Sequence, residues 1–232
     1  MRYSTGIKQL NDLMEGGIPE KSAVMLLGPP GAGKSTFTFE MTYTNLNDKV
    51  PCIYLTTNDK PDMVRRKMLA FNFDISKHAD LMIFIDGYSW RRSPGNSGGY
   101  LLKSITNLTD AIITIKTAMK DNDFKNGLFI IDSLSDFLLY NEPQELYKFL
   151  QIITAEIKKT NSVGLVSIEE DLHDQKAIST LSYLTDGVMK MKTADGQRQL
   201  QIQKMPRTKH KLGWVNFTIN KGIELYVQEF FE

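Results

Sequence analysis

Short apolar segments alternate with segments of helical periodicity along most of the chain. Runs of four or five apolar residues, such as residues 23–27, are typical of strands buried on both faces. Apolar residues that recur every three or four positions predict the amphipathic helices between them. This order predicts an α/β fold with a mostly parallel central sheet and helices on both faces. The predicted strands are residues 23–27, 52–55, 81–85, 128–131 and 163–166, and the predicted helices are residues 34–46, 107–121 and 143–160, with another beginning at Pro61.

The pattern changes beyond residue 187, where four short segments alternate apolar and polar positions. Asp195-Gly196 lies between the first two of them and predicts a two-residue hairpin. We therefore expect antiparallel strands that extend the sheet, so that residues 1–232 form a single domain. Residues 88–99 are the least regular part of the chain, and their Gly, Pro and Ser content predicts a mobile loop.

Composition and charge exclude several classes of protein without choosing a function. The chain has 28 Lys and Arg residues against 27 Asp and Glu residues, and its net charge of +1 gives no overall attraction to nucleic acid. Cys52 is the single cysteine, which excludes an intramolecular disulfide and a cysteine-based zinc site and fits a reducing compartment. No apolar run approaches the roughly 18–20 residues of a membrane span, and we expect a cytoplasmic protein.

The most informative segment follows the first predicted strand and matches the phosphate-loop motif G-x-x-x-x-G-K-[ST]. Glycines in such a loop let backbone N–H groups point at phosphates, and the N-terminus of the following helix adds partial positive charge. Lys34 is expected to reach the β- and γ-phosphates, Ser35 to bind Mg²⁺, and Thr36 to contact the α-phosphate. The predicted nucleotide-binding residues are Gly28, Pro29, Pro30, Gly31, Ala32, Gly33, Lys34, Ser35 and Thr36.

A carboxylate at the end of the strand at 128–131 completes the predicted nucleotide site. Parallel sheets bind ligands at the carboxyl ends of their strands, so Asp132 can hold Mg²⁺ as a Walker B acid does. The alternative is an ordinary turn residue at a strand end. The chain lacks the N-K-x-D motif of small GTPases, which favours ATP over GTP. ATP and Mg²⁺ are therefore the predicted cofactors, and Ser35 and Asp132 are the predicted metal ligands.

With two further segments, these motifs resemble the KaiC-like ATPases of the RecA superfamily over nearly the whole chain. The segment from Ser4 to Leu10 and the sequence GGIP at 16–19 are similar to that family's entry segment. Residues 185–192, followed by residues 200–205, a basic turn and a closing strand, are similar to its tail. The resemblance implies one RecA-like ATPase domain and homo-oligomeric rings, commonly hexameric, with nucleotide between subunits.

The chain departs from the family's pattern at the expected catalytic glutamates. Family members usually carry two glutamates after the second strand, one of which orients or activates the attacking water, whereas this chain has Asn58 and Asp59. Only Asp59 could act as a base, and its side chain is one methylene shorter than that of glutamate. The competing interpretation is that Asp59 is the N-cap of the helix at Pro61.

A second departure concerns residues that reach a neighbouring subunit. The family's tail often reads K-M-R-G, and its lysine and arginine contact the neighbour's nucleotide. Here Lys204 matches, Pro206 stands at the arginine position, and Arg207 follows one place later. A solvated basic turn is the alternative for Arg207. The resemblance thus implies catalytic roles for Lys34, Asp59, Asp132, Lys204 and Arg207.

Other residues near the predicted site are weaker candidates. Glu169 and Glu170 follow the fifth strand, where they could contact magnesium-bound water or a neighbouring subunit, unless they are solvated loop acids. Ser167 could contact the γ-phosphate. A basic stretch and the aromatic residues beside Arg91-Arg92 could bind single-stranded DNA. The stretch consists of Lys190, Lys192, Arg198, Lys204, Arg207, Lys209 and Lys211, and the aromatic residues are Tyr88 and Trp90.

Three functions therefore stay open at the level of sequence. The first is a magnesium-dependent ATPase with slow or conditional hydrolysis. The second is a non-hydrolysing, ATP-dependent assembly switch similar to the accessory ATPase of the archaellum motor, which Asn58 favours. The third is a recombinase-like DNA-binding ATPase, which the near-neutral charge disfavours. No motif identifies a protein partner, and kinase activity is a further open alternative.

Overall fold

The strand that leads into the phosphate loop lies inside a large mixed sheet. The computed structural model describes residues 1–91, 99–210 and 213–226, and in them ten strands form this sheet while two more form a small antiparallel ribbon. In chain order the strands are β1 (Arg2–Tyr3), β2 (Ile18–Pro19), β3 (Ser22–Gly28), β4 (Cys52–Thr56), β5 (Met82–Asp86), β6 (Tyr100–Leu101), β7 (Leu128–Asp132), β8 (Val163–Glu169), β9 (Gly187–Ala194), β10 (Gln197–Lys204), β11 (Val215–Ile219) and β12 (Ile223–Tyr226).

Helices cover both faces of the sheet, as predicted. Alternate residues of β3 enter opposite hydrophobic layers: Leu26 packs with Phe37 on one face, and Leu27 packs with Phe149 on the other. No helix among the described residues is long and apolar enough to cross a bilayer. Over the same residues the α-helices are α1 (Lys8–Leu13), α2 (Lys34–Asn47), α3 (Pro61–Ala70), α4 (Leu108–Asp121), α5 (Ser135–Tyr140), α6 (Pro143–Lys159) and α7 (Gln175–Leu184).

The strand order places a crevice beside β3. The order is β12-β11-β10-β9-β3-β8-β7-β4-β5-β6, with parallel pairing from β9 to β6 and antiparallel pairing from β9 to β12. The chain leaves β3 through α2 toward β4 on one side and returns from β8 through α7 to β9 on the other. Such a reversal is where open α/β sheets bind ligands, at the carboxyl ends of the strands.

The predicted fold class is confirmed, and most long elements lie within a few residues of their predicted bounds. The hairpin between β9 and β10 turns at Asp195 and Gly196, whose φ angles are 53° and 72°. Sequence patterns missed β1, β2, β6, α1, α5 and α7, because most of these elements are too short to show a period. Of the predicted loop at 88–99, residues 92–98 lie outside the described residues, and Ser89–Arg91 forms a 3₁₀ turn.

Helix α2 forms hydrogen bonds with segments near both ends of the described chain. The amide of Asn45 donates to the carbonyl of Ser4 at 2.7 Å, and the carboxylate of Glu40 accepts the N–H of Ile223 at 2.7 Å. Burial raises the pKa of Glu40 to about 7; the Ile223 N–H opposes this shift, and the nearby Glu224 carboxylate adds to it. Glu40 is therefore a titratable contact between α2 and the C-terminal strands.

This contact predicts a pH dependence of stability. The folded chain binds the Glu40 proton more tightly than the unfolded chain, so the free energy of unfolding should fall as pH rises from 4.5 to about 7. For a half-buried carboxyl we expect a loss of about 1–2 kcal/mol. Urea unfolding across this pH range should show that Glu40→Gln, which keeps an acceptor for Ile223, lacks this component. The control, Glu142→Gln at an exposed carboxylate, should keep the wild-type slope; an unchanged slope in Glu40→Gln would contradict the assignment.

Candidate phosphate-binding site

Two glycines allow the phosphate loop to pass closely between β9 and α2. A Cβ atom on Gly28, at the end of β3, would lie 2.6 Å from the backbone oxygen of Met191. Gly33 is the N-cap of α2 and has a φ of 106°, a conformation that glycine adopts without strain. The loop between them thus begins beside the sheet and ends at a helix N-terminus, where backbone N–H groups are free to bind anions.

The Lys34 side chain lies under this loop, with an exposed fraction of 5%. Its ammonium group donates to the carbonyl oxygens of Gly28 and Pro29, each at 2.8 Å, and to the Glu169 carboxylate at 2.7 Å. The parallel register of β3 and β8 pairs Gly28 with Glu169, which brings this carboxylate to the loop. A buried ammonium is thereby compensated by three acceptors, which is the number of its N–H donors.

A pocket of about 490 Å³ opens above the loop. Five of the predicted loop residues line it, whereas Ala32 is buried in the core beneath the loop. Arg198 of β10 also lines the pocket, whereas the sequence pattern placed it only in a basic stretch. Knowledge of the β10 register would have been needed to place it there. The lining residues are Gly31, Gly33, Lys34, Ser35, Thr36, Phe71, Glu169, Arg198 and Ile219.

Asp132 ends β7 and is held by hydroxyl groups on both sides. One carboxylate oxygen accepts the Ser167 hydroxyl at 2.6 Å, and the other accepts the Tyr54 hydroxyl at 2.7 Å. Thr38 of α2 lies 3.4 Å from the second oxygen and 2.8 Å from the Tyr54 hydroxyl. Burial and the Asp132 charge raise the pKa of Tyr54 well above its usual value. Ser167 is fully buried and donates to Asp132, and its contact with a γ-phosphate stays a prediction.

The predicted metal ligands fit a magnesium ion bound together with phosphates. Mg²⁺ prefers oxygen ligands and is usually held by one or two protein groups plus phosphate and water. Thr38 connects the two predicted ligands, because its hydroxyl contacts the backbone oxygen of Ser35 at 2.8 Å as well as the Asp132 carboxylate. Among the residues that the structure describes, no group of three or more His, Cys, Asp or Glu side chains could hold a metal ion by itself.

Asp59 occupies a different environment from the one predicted. The N-cap of α3 is Lys60, which makes no side-chain capping bond, so the interpretation of Asp59 as the cap was wrong. The Asp59 carboxylate instead forms an ion pair with Lys67 on α3, and Asp59 is absent from the residues that line the described pocket. Its charge still contributes to the raised pKa of Tyr54, which is consistent with a position near the same sheet edge.

The two basic residues expected to act on a neighbouring subunit contact their own chain. Lys204 donates to the carbonyl oxygens of Ser182 and Thr185, at 2.7 Å and 2.5 Å, at the C-terminal end of α7. Burial lowers the pKa of Lys204. The Arg207 guanidinium donates to the carbonyl of Glu20. Neither residue lines the described pocket.

The remaining candidate groups are largely paired within the chain. Glu170 forms an ion pair with Lys190 at 2.6 Å and not with the loop. The Arg91 guanidinium lies 5.1 Å from the ring centres of Tyr88 and Trp90, so these side chains contact one another. Two basic residues of the DNA-binding alternative, Arg92 and Lys211, lie outside the described residues.

Comparison with known sequences finds relatives over nearly the whole chain. A sequence model for a family described as "ATPase: KaiC" matches residues 3–229. The chain is 26% identical to a UPF0273 protein of Pyrococcus furiosus, covering 97% of this chain and 94% of that protein. It is 27% identical to a UPF0273 protein of Methanocaldococcus jannaschii, covering 97% and 96%. A 29% match to the DNA repair protein RadA of Rickettsia typhi covers 58% of this chain and 24% of that protein.

Solved structures show the same fold. The crystal structure of a KaiC-like protein from Pyrococcus horikoshii superposes with a TM-score of 0.79 at 21% identity, covering 98% of this chain and 99% of that one. The family match spans nearly the whole sequence and includes the loop, the Asp132 strand and the C-terminal strands. The chain therefore belongs to the KaiC family of ATPases within the RecA superfamily.

Proposed function

We propose that the chain binds ATP with Mg²⁺ at the loop between β3 and α2 and hydrolyses it slowly or conditionally. The observation that carries this proposal is the position of the Lys34 ammonium, buried under a glycine loop at a pocket of about 490 Å³. A buried ammonium needs acceptors in place of water, and those of Lys34 are all at the phosphate loop or at the strand end beside it. The two glycines and the N-terminus of α2 supply the accompanying backbone donors.

Each residue of the site has a distinct task in this proposal. Lys34 binds the β- and γ-phosphates, and the N–H groups of the loop bind the phosphates around it. Ser35 and Asp132 hold the metal, and Mg²⁺ when bound neutralises charge on the β- and γ-phosphate oxygens. Arg198, which lines the same pocket, adds a second cation to the nucleotide.

Asp132 is suited to this task because two hydroxyl groups hold its carboxylate in one orientation. Hydroxyl groups that donate to a carboxylate stabilise its negative charge. The Tyr54 hydroxyl and the Ser167 hydroxyl each donate to one oxygen of the Asp132 carboxylate, which leaves further lone pairs for a metal ion, although Asp132 is not among the residues that line the described pocket. Groups that hold a metal ligand in place usually change metal affinity when they are lost.

The proposal includes assembly into rings, with Lys204 and Arg207 acting at the nucleotide of the next subunit. An arginine finger stabilises charge in phosphoryl transfer when supplied by a neighbour. Both side chains would first have to leave the carbonyl groups that they bind within their own chain. Hydrolysis that depends on such a rearrangement would be conditional. The thiol of Cys52 is buried and forms no disulfide, which is consistent with a cytoplasmic setting.

A second function is supported by the surroundings of Asp59. Asp59 forms an ion pair with Lys67 and does not line the described pocket, and the Asn58 side chain cannot act as a base. ATP binding without turnover, used to switch assembly or partner contact, would need Lys34 and Asp132 but no base at Asp59.

Lys34→Ala should weaken ATP binding and lower the rate of ATP hydrolysis. The substitution removes the charged donor to the phosphates, so the Kd for ATP should rise by at least about tenfold. Isothermal titration calorimetry with Mg-ATP and a phosphate-release assay measure both effects. Lys8→Ala, at an exposed lysine on α1, is the control and should behave as wild type. Unchanged ATP affinity in Lys34→Ala would refute the assignment of this loop.

Tyr54→Phe should raise the Mg²⁺ requirement with little effect on folding. The variant removes one hydroxyl from Asp132 and keeps the ring, so the Mg²⁺ concentration for half-maximal ATP binding should rise about tenfold. Titration of Mg²⁺ at constant ATP tests this, with Tyr43→Phe as a matched control, because Tyr43 stacks on Phe73. If both variants reach half-maximal ATP binding at the same Mg²⁺ concentration, Tyr54 does not orient Asp132.

Asp59→Asn distinguishes an ATPase from a switch. If Asp59 activates water, wild type should release phosphate over many turnovers and the variant should lose most of that rate, by about 100-fold or more. Asp62→Asn, at an exposed acid three residues later in the first turn of α3, is the control. ATP binding by wild type with no turnover would instead support the switch, and turnover that survives in Asp59→Asn would assign the base to another residue.

A further inference from the structure

We propose that Glu169 is an internal competitor for the nucleotide phosphates and sets the affinity of the site. The proposal rests on the proposed function of Lys34 as a phosphate ligand. Sequence patterns suggested only a contact of Glu169 with magnesium-bound water or with a neighbouring subunit. The structure places its carboxylate directly on the lysine of the phosphate loop.

The number of donors on Lys34 makes the competition direct. An ammonium group has three N–H donors, and here they meet the Gly28 oxygen at 2.8 Å, the Pro29 oxygen at 2.8 Å and the Glu169 carboxylate at 2.7 Å. A phosphate oxygen that binds Lys34 must therefore replace one of these acceptors or share a donor with it.

Glu169 is the acceptor that a phosphate must displace. The other two acceptors are backbone carbonyls of the loop, which cannot turn away from Lys34 as a side chain can. The Glu169 carboxylate lies on a rotatable side chain that is 22% exposed and lines the pocket. It is also an anion, so a phosphate bound beside it would be repelled until the carboxylate moves away.

The sheet holds the Glu169 backbone in place, so a change of partner would need only a rotation of its side chain. Glu169 pairs with Gly28 in the β3–β8 ladder, and its N–H donates to the Ser135 hydroxyl at 2.8 Å. The next residue, Glu170, binds Lys190 instead of the loop. The two adjacent carboxylates therefore have different partners, which provides a matched pair of variants with the same change in charge.

The competition should depend on the phosphates that Lys34 contacts. ATP and ADP carry a β-phosphate within reach of Lys34, whereas AMP carries only the α-phosphate. Neutralising Glu169 should therefore strengthen binding of ATP and ADP and leave AMP nearly unchanged. A general effect of net charge would instead strengthen binding of all three nucleotides, and Glu170→Gln would reproduce it.

The test compares wild type, Glu169→Gln and Glu170→Gln by calorimetric titration with ATP, ADP and AMP in the presence of Mg²⁺. Glutamine keeps a neutral acceptor for Lys34, and the Kd for ATP should fall about tenfold, the difference between a charged and a neutral hydrogen bond. Glu170→Gln should match wild type. Glu169→Ala, which removes acceptor and charge together, should also bind ATP more tightly and provides a second variant if the first does not fold.

The possible outcomes separate this proposal from the function on which it rests. Tighter binding of ATP and ADP, but not AMP, in the Glu169 variants alone would support competition. Equal affinities in Glu169→Gln and Glu170→Gln, an equal gain for AMP, or weaker ATP binding in the Glu169 variants would overturn it while wild-type binding still supports the nucleotide site. Failure of wild type and every variant to bind ATP would overturn both.

Discussion

The parallel pairing of β3 with β8 is the constraint on which the geometry of the site depends. Their ladder runs from Ser22 opposite Val163 to Gly28 opposite Glu169, so both strands end at the same level. The phosphate loop begins at that level. In the ladder of β7 with β8, Ile131 pairs with Val166, so Asp132 ends β7 beside Ser167, two residues before Glu169. A register shift of one residue would turn the side chains of β8 to the opposite face and separate Glu169 from Lys34.

Burial of charge explains why the partners of this site are so specific. Lys34 is 5% exposed and Asp132 is 7% exposed, and a buried ion is tolerated only when hydrogen bonds replace its water. Two carbonyls and one carboxylate do this for Lys34, while Tyr54 and Ser167 do it for Asp132. The contacts that make the folded chain tolerate these charges are also those that a bound phosphate or metal would modify.

The other residues with expected catalytic roles also have partners within their own chain. Asp59, Lys204 and Arg207 each bind a group of their own chain. Asp59 would have to leave Lys67 before it could act on water. Lys204 and Arg207 would have to leave backbone carbonyl groups before they could bind phosphate. This arrangement is consistent with an ATPase whose turnover is conditional, and it explains why the residue types alone leave hydrolysis and switching both open.

The sequence by itself determined the local features of this protein. Apolar runs and helical periods located the long strands and helices, the glycines and Lys34 defined the phosphate loop, and Asp195-Gly196 defined a hairpin, because each depends on residues close together in the chain. Only the tertiary structure brought Glu169 to Lys34, Tyr54 to Asp132 and Arg198 to the pocket. These contacts join residues from separate strands and helices, and their distances are set by strand order and register, which a single sequence does not encode as a readable pattern.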